Sequence, residues 1–370
     1  MLPLQHKLII TTKDNTFIMF KKKDLFQENS KKIVSVALMM LFTLGGTDNA
    51  AAQQIASTVG GLQNGTLVQP TNLVKKEYVS RQSWTKLEGE LTFFMANDMG
   101  RNGYYDQKPI AELMGEMAGT VDPKCVLAVG DIHHFNGVAS VNDPLWMTNY
   151  ETIYSHPDLM LDWFPVCGNH EYRGNTQAVL DYAKVSRRWM MPAKYYSKVF
   201  KKKNTTVRII FLDTTPLIDK YRNDSSVYPD AVKQDMQAQL DWLDATLKNA
   251  KEDWVIVVGH HPIYAYTEKS ADERLDMQKR VLPILHKYNN VAIYACGHIH
   301  SFQHLKMKGD NIDYVVNSSA SLARPVEAVE GTVFCSSADG FSVISADKKQ
   351  LRMAMIDNAG NTIHGIVKNK

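Results

Sequence analysis

The sequence predicts an α/β fold in which several strands are parallel. Short runs of β-branched and aromatic residues, each ending at a polar cluster, occur at 91–98, 125–131, 163–170, 208–214, 254–261 and 291–300. Runs of this length and composition are typical of buried strands. Helical patterns, with apolar residues three and four apart, lie at 108–118, 176–190, 230–250 and 274–288. Alternating strands and helices form βαβ units, so the polar clusters should gather where parallel sheets bind ligands, at the carboxyl ends of the strands.

Beyond residue 310 the pattern changes to strands without helices. The runs IDYVVNSSA, GFSVISA, QLRMAMID and TIHGIV are joined by turn signals at 346–349 and 358–361. We expect these strands to complete the main sheet or to pack on it. No repeat and no low-complexity linker is found, and 44% hydrophobic residues can fill a sizeable core. One domain is therefore expected at 85–370, with 53–84 as an N-terminal extension.

Residues 1–52 are predicted to be a secretory signal. Lys31 and Lys32 precede an apolar run at 33–44, and alanines at 50–52 provide a cleavage site after Ala52. The run is shorter than the roughly 20 apolar residues of a membrane span. We therefore expect an exported protein, periplasmic or extracellular, without stable membrane insertion after cleavage; an uncleaved anchor is the alternative. The segment ahead of the signal is long, so Met1 and Met19 are both candidate start residues.

Without this leader the chain is electrically neutral. Residues 1–52 hold seven lysines and four acidic residues, which leaves 35 basic and 35 acidic residues in the remainder. Global charge therefore gives no case for nucleic-acid binding. The cysteines have no paired short spacing of the kind that zinc sites use, and we expect mostly free thiols. They are Cys125, Cys167, Cys296 and Cys335.

Histidines are concentrated at the ends of the predicted strands. Seven of the twelve lie there, namely His133, His134, His170, His260, His261, His298 and His300. Together with Asp98, Asp131 and Asn169 they form a set of imidazole and oxygen ligands from five strand ends. Such a set suits first-row metal ions, and a carboxylate that can bridge suggests two of them. A lone histidine in such a place is more often only hydrogen-bonded, so the inference depends on the combination.

Five motifs in these runs resemble those of the calcineurin-like metallophosphoesterases, and most closely those of the tartrate-resistant, purple acid phosphatase branch. They are Asp98-Met99-Gly100, Gly130-Asp131-x-x-His134, Gly168-Asn169-His170-Glu171, Gly259-His260-His261-Pro262 and Gly297-His298-Ile299-His300. Their shared order and spacing make the resemblance specific, and it covers about residues 91–367. It implies the metallophosphatase fold, a four-layer α/β/β/α sandwich with mixed sheets.

The resemblance also implies a ligand set. The implied ligands are Asp98 and His300 for one metal ion, Asn169, His260 and His298 for a second, and Asp131 as the bridge between them. The purple branch uses a tyrosine three residues after the aspartate of the second motif, and this chain has His134 there. We expect His134 to complete the first site. Because a phenolate is lost, the loaded protein should be colourless and should accept a divalent pair of Fe, Mn or Zn.

The implied activity is a broad-range phosphomonoesterase similar to acid phosphatases. A hydroxide bridging the two metals would attack phosphorus, and His170 would protonate the leaving group or bind a phosphoryl oxygen. Glu171 would either orient His170 or have a structural role. Candidate contacts to a small-molecule phosphate ester, each with a structural role as the alternative, are His133, Tyr172, Arg173 and His261, followed by Arg101 and Tyr104. The alternatives are a phosphodiesterase or nucleotide-cleaving enzyme on the same core, and a secreted scaffold or binding protein.

Overall fold

A computed structural model of the chain describes residues 7–11, 17–21, 62–63, 66–67 and 83–370. The predicted signal run at 33–44, its cleavage site and most of the extension at 53–84 lie outside these residues, so the predicted domain boundaries stay predictions. The chain divides into two compact units, Met1–Val74 and Lys75–Lys370. The first contains two antiparallel pairs, β1 (Lys7–Thr11) with β2 (Phe17–Lys21) and β3 (Leu62–Gln63) with β4 (Thr66–Leu67).

The second unit contains two mixed sheets. The first sheet has the order β17-β16-β15-β5-β6-β7. Its strands are β5 (Leu91–Ala96), β6 (Cys125–Val129), β7 (Asp162–Val166), β15 (Gly340–Ala346), β16 (Gln350–Asp357) and β17 (Thr362–Asn369). Strands β5, β6 and β7 are parallel, and the remaining pairs are antiparallel. The parallel strands bring the carboxyl ends of the first three predicted runs to one edge.

The second sheet has the order β14-β12-β13-β11-β10-β9-β8. Its strands are β8 (Tyr196–Lys202), β9 (Thr205–Leu212), β10 (Trp254–Gly259), β11 (Val291–Cys296), β12 (Phe302–Leu305), β13 (Asp313–Val316) and β14 (Thr332–Ser336). Strands β9, β10, β11 and β13 are parallel, whereas β8, β12 and β14 pair antiparallel with their neighbours. The ends of β10 and β11 therefore also lie side by side.

Aromatic residues pack the two sheets face to face. The ring centroids of Phe93 and Phe200 are 4.9 Å apart, and those of Phe164 and Phe211 are 6.0 Å apart. The helices are α1 (Gln107–Val121), α2 (Thr176–Asp181), α3 (Asp219–Asn223), α4 (Met236–Asn249), α5 (Asp272–Arg280) and α6 (Leu282–Lys287). The predicted four-layer α/β/β/α sandwich with mixed sheets is confirmed. None of the helices in the described part of the chain is long and apolar enough to cross a membrane.

Several local predictions were wrong. The helix predicted at 176–190 ends at Asp181, and the one predicted at 274–288 is divided into α5 and α6 near Pro283. Strands β8, β12 and β14 were not predicted. The C-terminal strands serve both sheets, because β13 joins the second sheet and β15, β16 and β17 join the first. All four cysteines are free thiols, as predicted.

Candidate metal centre

The predicted ligands meet where loops from the two sheets converge. Asp98, Asp131 and Asn169 follow β5, β6 and β7 of the first sheet, while His260, His298 and His300 follow β10 and β11 of the second. All six are buried. Asp98, Asp131, His298 and His300 have φ between 51° and 71°, a region that residues other than glycine seldom adopt. Such strain is concentrated at functional sites, where the surrounding structure holds it in place.

Asp98, His134 and His300 form the first group, whose ligand atoms all lie within 4.8 Å of one another. Oδ2 of Asp98 accepts hydrogen bonds from Asn97 Nδ2 at 2.7 Å and from the His298 backbone at 2.8 Å. Its Oδ1 accepts none and lies 3.0 Å from His300 Nε2. His300 Nδ1 donates to a backbone carbonyl at 2.8 Å. Asp98 Oδ1 and His300 Nε2, which take no part in these hydrogen bonds, therefore face each other, as two ligands of one ion do.

His260, His261 and His298 form the second group, whose ligand atoms also lie within 4.8 Å of one another. His260 Nδ1 donates to the Val129 carbonyl at 2.9 Å, which leaves Nε2 as the ligand atom. His298 Nε2 lies 2.8 Å from Glu273 Oε2, and its Nδ1 lies 3.3 Å from His260 Nε2. The side-chain oxygen of Asn169 is buried and has no hydrogen-bond partner. A partner on the second nitrogen fixes the tautomer of a ligating histidine, and these contacts leave His260 Nε2 and His298 Nδ1 facing each other in the cluster.

Asp131 lies between the two groups. Its Oδ1 accepts a hydrogen bond from the His170 backbone at 2.9 Å. Its Oδ2 lies 3.1 Å from His260 Nε2 and 3.6 Å from His134 Nε2. One carboxylate oxygen is thus close to the ligand atoms of both groups, which is the position that a bridging ligand needs.

The contacts of Glu171 fit the structural role that was the alternative to orienting His170. It is fully buried, and its carboxylate accepts hydrogen bonds from the backbone N–H of Asp131 at 2.9 Å, His133 at 2.9 Å and Gly168 at 2.7 Å. These contacts tie the loop after β6 to the loop after β7. The expected alternative, in which Glu171 orients the His170 ring, is not what the contacts show.

Close contacts explain the glycines at two motif positions. A Cβ atom on Gly168 would lie 2.2 Å from Asp131 Oδ1, and one on Gly297 would lie 2.6 Å from Asp98 Oδ2. Any larger residue at either position would therefore displace a predicted ligand.

The electrostatics of the cluster favour bound cations. Burial would raise the pKa of Asp131, but His260 and His170 hold it well below its ordinary value. Burial would lower the pKa of His260, but Asp131 and Asp98 raise it to about 9. The cluster therefore attracts positive charge. With unpartnered oxygens on Asp98 and Asn169 and nitrogen donors opposite them, the residues fit a pair of metal ions.

Three residues predicted as substrate contacts lie in the interior. His133 has no exposed surface. The Tyr172 hydroxyl donates to Asp213 Oδ2 at 2.5 Å, and the His261 ring is held by Thr214 Oγ1 at 2.8 Å. A side chain without exposed surface meets no substrate unless the protein rearranges. These contacts fit the structural role that was the alternative for His133, Tyr172 and His261, and their role as substrate contacts stays a prediction.

His170 and Arg173 remain at the edge of the cluster. His170 Nδ1 donates to the Phe135 carbonyl at 2.6 Å, and its Nε2 lies 3.8 Å from Asp131 Oδ2. Arg173 donates to the same carbonyl at 3.4 Å and to the Tyr228 hydroxyl at 3.2 Å. The His170 ring is thus anchored at one nitrogen and presents the other to the cluster.

Two basic side chains near the cluster, Lys269 and Arg324, belong to no motif and were not predicted from the sequence. Lys269 Nζ lies 2.9 Å from His298 Nε2, and the backbone N–H of Arg324 donates to the His300 carbonyl at 2.7 Å. Lys269 and Arg324 line a cavity of about 250 Å³. Arg101, predicted as a possible substrate contact, lies near Arg324 and Asp98. Within residues 83–370, none of these three side chains forms an ion pair with a carboxylate.

Comparison with known proteins identifies the family of the chain. The family model "Calcineurin-like phosphoesterase" matches residues 91–302. Purple acid phosphatase 3 of Arabidopsis thaliana is 31% identical over 296 residues, which is 76% of this chain and 78% of that protein. Tartrate-resistant acid phosphatase type 5 of Homo sapiens is 30% identical over 254 residues, which is 64% of this chain and 77% of that protein.

A solved structure supports the fold independently. GAP50, described as the anchor in the inner membrane complex of Plasmodium, aligns with a TM-score of 0.65 and 23% identity, covering 75% of this chain and 88% of GAP50. At this identity the likeness concerns architecture alone. Motifs, ligand geometry and relatives agree: the chain belongs to the calcineurin-like phosphoesterase family, in the branch of the purple and tartrate-resistant acid phosphatases, whose members are metal-dependent phosphatases.

Proposed function

We propose that this protein hydrolyses phosphate monoesters at a dinuclear metal centre. The observation that carries the proposal is the position of Asp131, with one oxygen between His260 of one ligand group and His134 of the other. The residues that would hold the metals are Asp98, His134 and His300 for the first ion, Asn169, His260 and His298 for the second, and Asp131 for both. Bound there, the ions supply Lewis acidity and lower the pKa of a water molecule.

The chain itself contributes rigidity and charge. The ligands sit on loops tied by Glu171 and by strands of both sheets, so the donor atoms need little reorganisation when ions and substrate bind. Arg101, Lys269 and Arg324 lie close to the cluster, and none of the three forms an ion pair within residues 83–370. They would attract a phosphate ester and orient its oxygens. This arrangement supports an anionic small-molecule substrate.

His170 would donate a proton to the leaving oxygen or hydrogen-bond a phosphoryl oxygen through Nε2. Its Nδ1 is engaged by the Phe135 carbonyl, so only Nε2 is available on the side of the cluster. We expect His170→Ala to keep its metal content and to lose about 10²-fold in turnover, the effect of one acid–base group. Steady-state kinetics and elemental analysis measure the two quantities. His286→Ala, a half-exposed histidine paired with Asp310, is the matched control. An unchanged rate in His170→Ala removes this residue from the mechanism.

Elemental analysis and a small substrate panel test the main proposal. The purified protein should contain two ions from Fe, Mn or Zn per chain and should cleave p-nitrophenyl phosphate faster than its bis ester. Asp131→Asn should lose both metal and activity, because the proposed bridge is shared. Preference for the bis ester would favour a phosphodiesterase instead. Full metal content without hydrolysis of either ester would favour a scaffold or binding role.

We also propose that the protein is exported. The apolar run at 33–44, its preceding lysines and the alanines at 50–52 support this. N-terminal sequencing of the protein from its native host should find Gln53 at the first position. Recovery of the intact leader in the cytoplasm would contradict export.

A further inference from the structure

Exposed aromatic rings are confined to one place in the described second unit. Of all the Phe, Tyr and Trp residues within 83–370, only Tyr104 (72% exposed), Phe135 (63%) and Tyr105 (62%) lie mostly in solvent. Single apolar residues on a surface are ordinary. Here, however, all three rings line the same cavity of about 400 Å³, together with His134 and Arg101. We call this cavity the aromatic groove.

The aromatic groove adjoins the side of the metal centre where a leaving group would depart. The Phe135 ring centroid lies 5.9 Å from that of His170 and 5.8 Å from that of His134. His170 is the proposed proton donor to the leaving oxygen. A substrate whose leaving oxygen meets His170 would therefore extend its organic part toward Phe135.

The rings are carried by ordered backbone. Gln107 Oε1 accepts hydrogen bonds from the backbone of Arg101 at 3.1 Å and of Gly103 at 2.7 Å, and Asn149 Oδ1 accepts one from Asn102 at 2.6 Å. The Asp106 N–H donates to a backbone carbonyl at 3.0 Å. Tyr104 and Tyr105 lie within this bonded segment. A surface held in its binding conformation loses little entropy when a ligand arrives.

The charge of the aromatic groove complements a phosphate ester. The Arg101 guanidinium lies 4.9 Å from the Phe135 ring centroid, and no carboxylate belongs to the lining. Arg101 covers one part of the ring, while most of the Phe135 side chain stays exposed. A flat apolar surface next to an unpaired cation suits a ligand that combines a planar ring with a nearby anion.

We infer that the aromatic groove binds the leaving group of the substrate and selects phosphate monoesters of planar aromatic groups, whether aryl phosphates or nucleotides. This inference rests on the proposed phosphomonoesterase function and specifies its substrate class. Stacking on one aromatic side chain strengthens binding by about tenfold. Aliphatic esters such as glycerol phosphate would gain much less from these rings.

Binding of two non-hydrolysable phosphonates tests the groove apart from catalysis. Calorimetry on the metal-loaded full chain should show phenylphosphonate binding about tenfold more tightly than methylphosphonate. Both Phe135→Ala and the double variant Tyr104→Ala/Tyr105→Ala should reduce this preference. The double variant opens no core, because both rings are exposed, so it serves if Phe135→Ala fails to fold. Val367→Ala, an exposed apolar position on β17, should keep the full preference.

Kinetics distinguish the sources of the ring. Adenosine 5′-monophosphate and glycerol 3-phosphate both have a primary alkoxide as the leaving group, so the ratio of their kcat/KM values reports binding of the base. Phenyl phosphate reports binding of an aryl ring. Both groove variants should lower the ratio for at least one aromatic substrate over glycerol phosphate. Equal binding of the two phosphonates by the wild type, or a preference that both variants retain, would overturn the inference. A ring-dependent phosphonate preference without turnover of any ester would instead overturn the proposed function and leave the groove standing.

Discussion

At the scale of single residues, His134 is the position at which this chain departs from the purple branch. Its ring belongs to two groups of potential ligands, one with Asp98 and His300 and the other with Asp131 and His170. Its Nδ1 is buried without a hydrogen-bond partner, so either nitrogen is available to a metal. An imidazole at this point brings no negative charge, whereas a phenolate would. The first metal site should therefore favour Fe(III) less strongly than a tyrosine-containing site does.

Restoring the tyrosine should restore colour. We expect iron-loaded His134→Tyr to gain an intense visible absorption band from phenolate-to-Fe(III) charge transfer, and the iron-loaded wild type to lack it. Phe135→Tyr places a phenol one residue away and is the matched control, which should stay colourless. Absorption spectra of the three proteins, recorded at equal iron content, measure the band. No band in iron-containing His134→Tyr would show that residue 134 is not a metal ligand, and an intense band in the wild type would contradict the predicted loss of the phenolate ligand.

The cluster of candidate ligands could be predicted from the sequence, but the groups that hold their side chains in place could not. The motifs of glycine, aspartate and histidine single out the candidate ligands, because few other roles need these residue types together at strand ends. The supports of His260 and His300 are the carbonyls of Val129 and Leu322, and every residue carries a carbonyl. The contacts of Glu171 could not be predicted for the same reason, because its partners are backbone N–H groups.

At the scale of elements, buried strands were predictable and irregular helices were not. The continuous apolar runs of β5, β6, β7, β9, β10 and β11 leave no competing assignment. The pattern at 176–190 fails because tertiary contacts override it: Arg188 turns inward to the Tyr154 carbonyl at 2.7 Å, and Trp189 Nε1 donates to the Val179 carbonyl at 2.8 Å. In the first turn of α6, Pro283 lacks the N–H that a helix continuous with α5 requires.

Helix α5 contacts the proposed second metal site through its first turn. Glu273 is buried, accepts a hydrogen bond from the Tyr221 hydroxyl at 3.0 Å, pairs with Lys220 at 2.6 Å and faces His298 at 2.8 Å. A carboxylate at the second nitrogen of a ligating histidine orients the ring and strengthens it as a ligand. Helix α5 is therefore as much a part of the proposed centre as the strands that carry the ligands.

Neutralising that carboxylate should weaken one metal site only. We expect Glu273→Gln to lower affinity for the second ion about 10-fold to 100-fold, the range observed when such supports are removed. Affinity for the first ion should be unchanged, because His300 is held by a backbone carbonyl instead. Metal titration of the apoprotein measures both. Asp272→Asn, at the exposed preceding position, is the control. Equal weakening of both sites would indicate general damage to the fold rather than the support of His298.

At the scale of the whole molecule, the proposed centre joins the two sheets of the sandwich. Asp98, Asp131 and Asn169 belong to loops of the first sheet, and His260, His298 and His300 belong to loops of the second. Side chains of opposite charge meet across the two sheets here, as in the 3.1 Å approach of His260 to Asp131, and they also do so at the Lys368–Asp313 ion pair (2.6 Å). Ions bound at the proposed centre would be ligated by loops of both sheets and would link them. The thermal stability of the protein should therefore depend on its metal content.

Chelation should consequently lower the melting temperature of the wild type. A ligand that binds only the folded state adds about 2.7 kcal/mol at a concentration of 100 times its Kd. In a domain of this size each kcal/mol corresponds to about 2–4 °C, so loss of two ions should cost roughly 10–20 °C. Scanning calorimetry before and after chelation measures the shift, and re-addition of metal should reverse it. Asp131→Asn, already poor in metal, should show little further change. If chelation removes the ions and the wild type melts at the same temperature, the ions do not link the sheets and the ligand assignment across them fails.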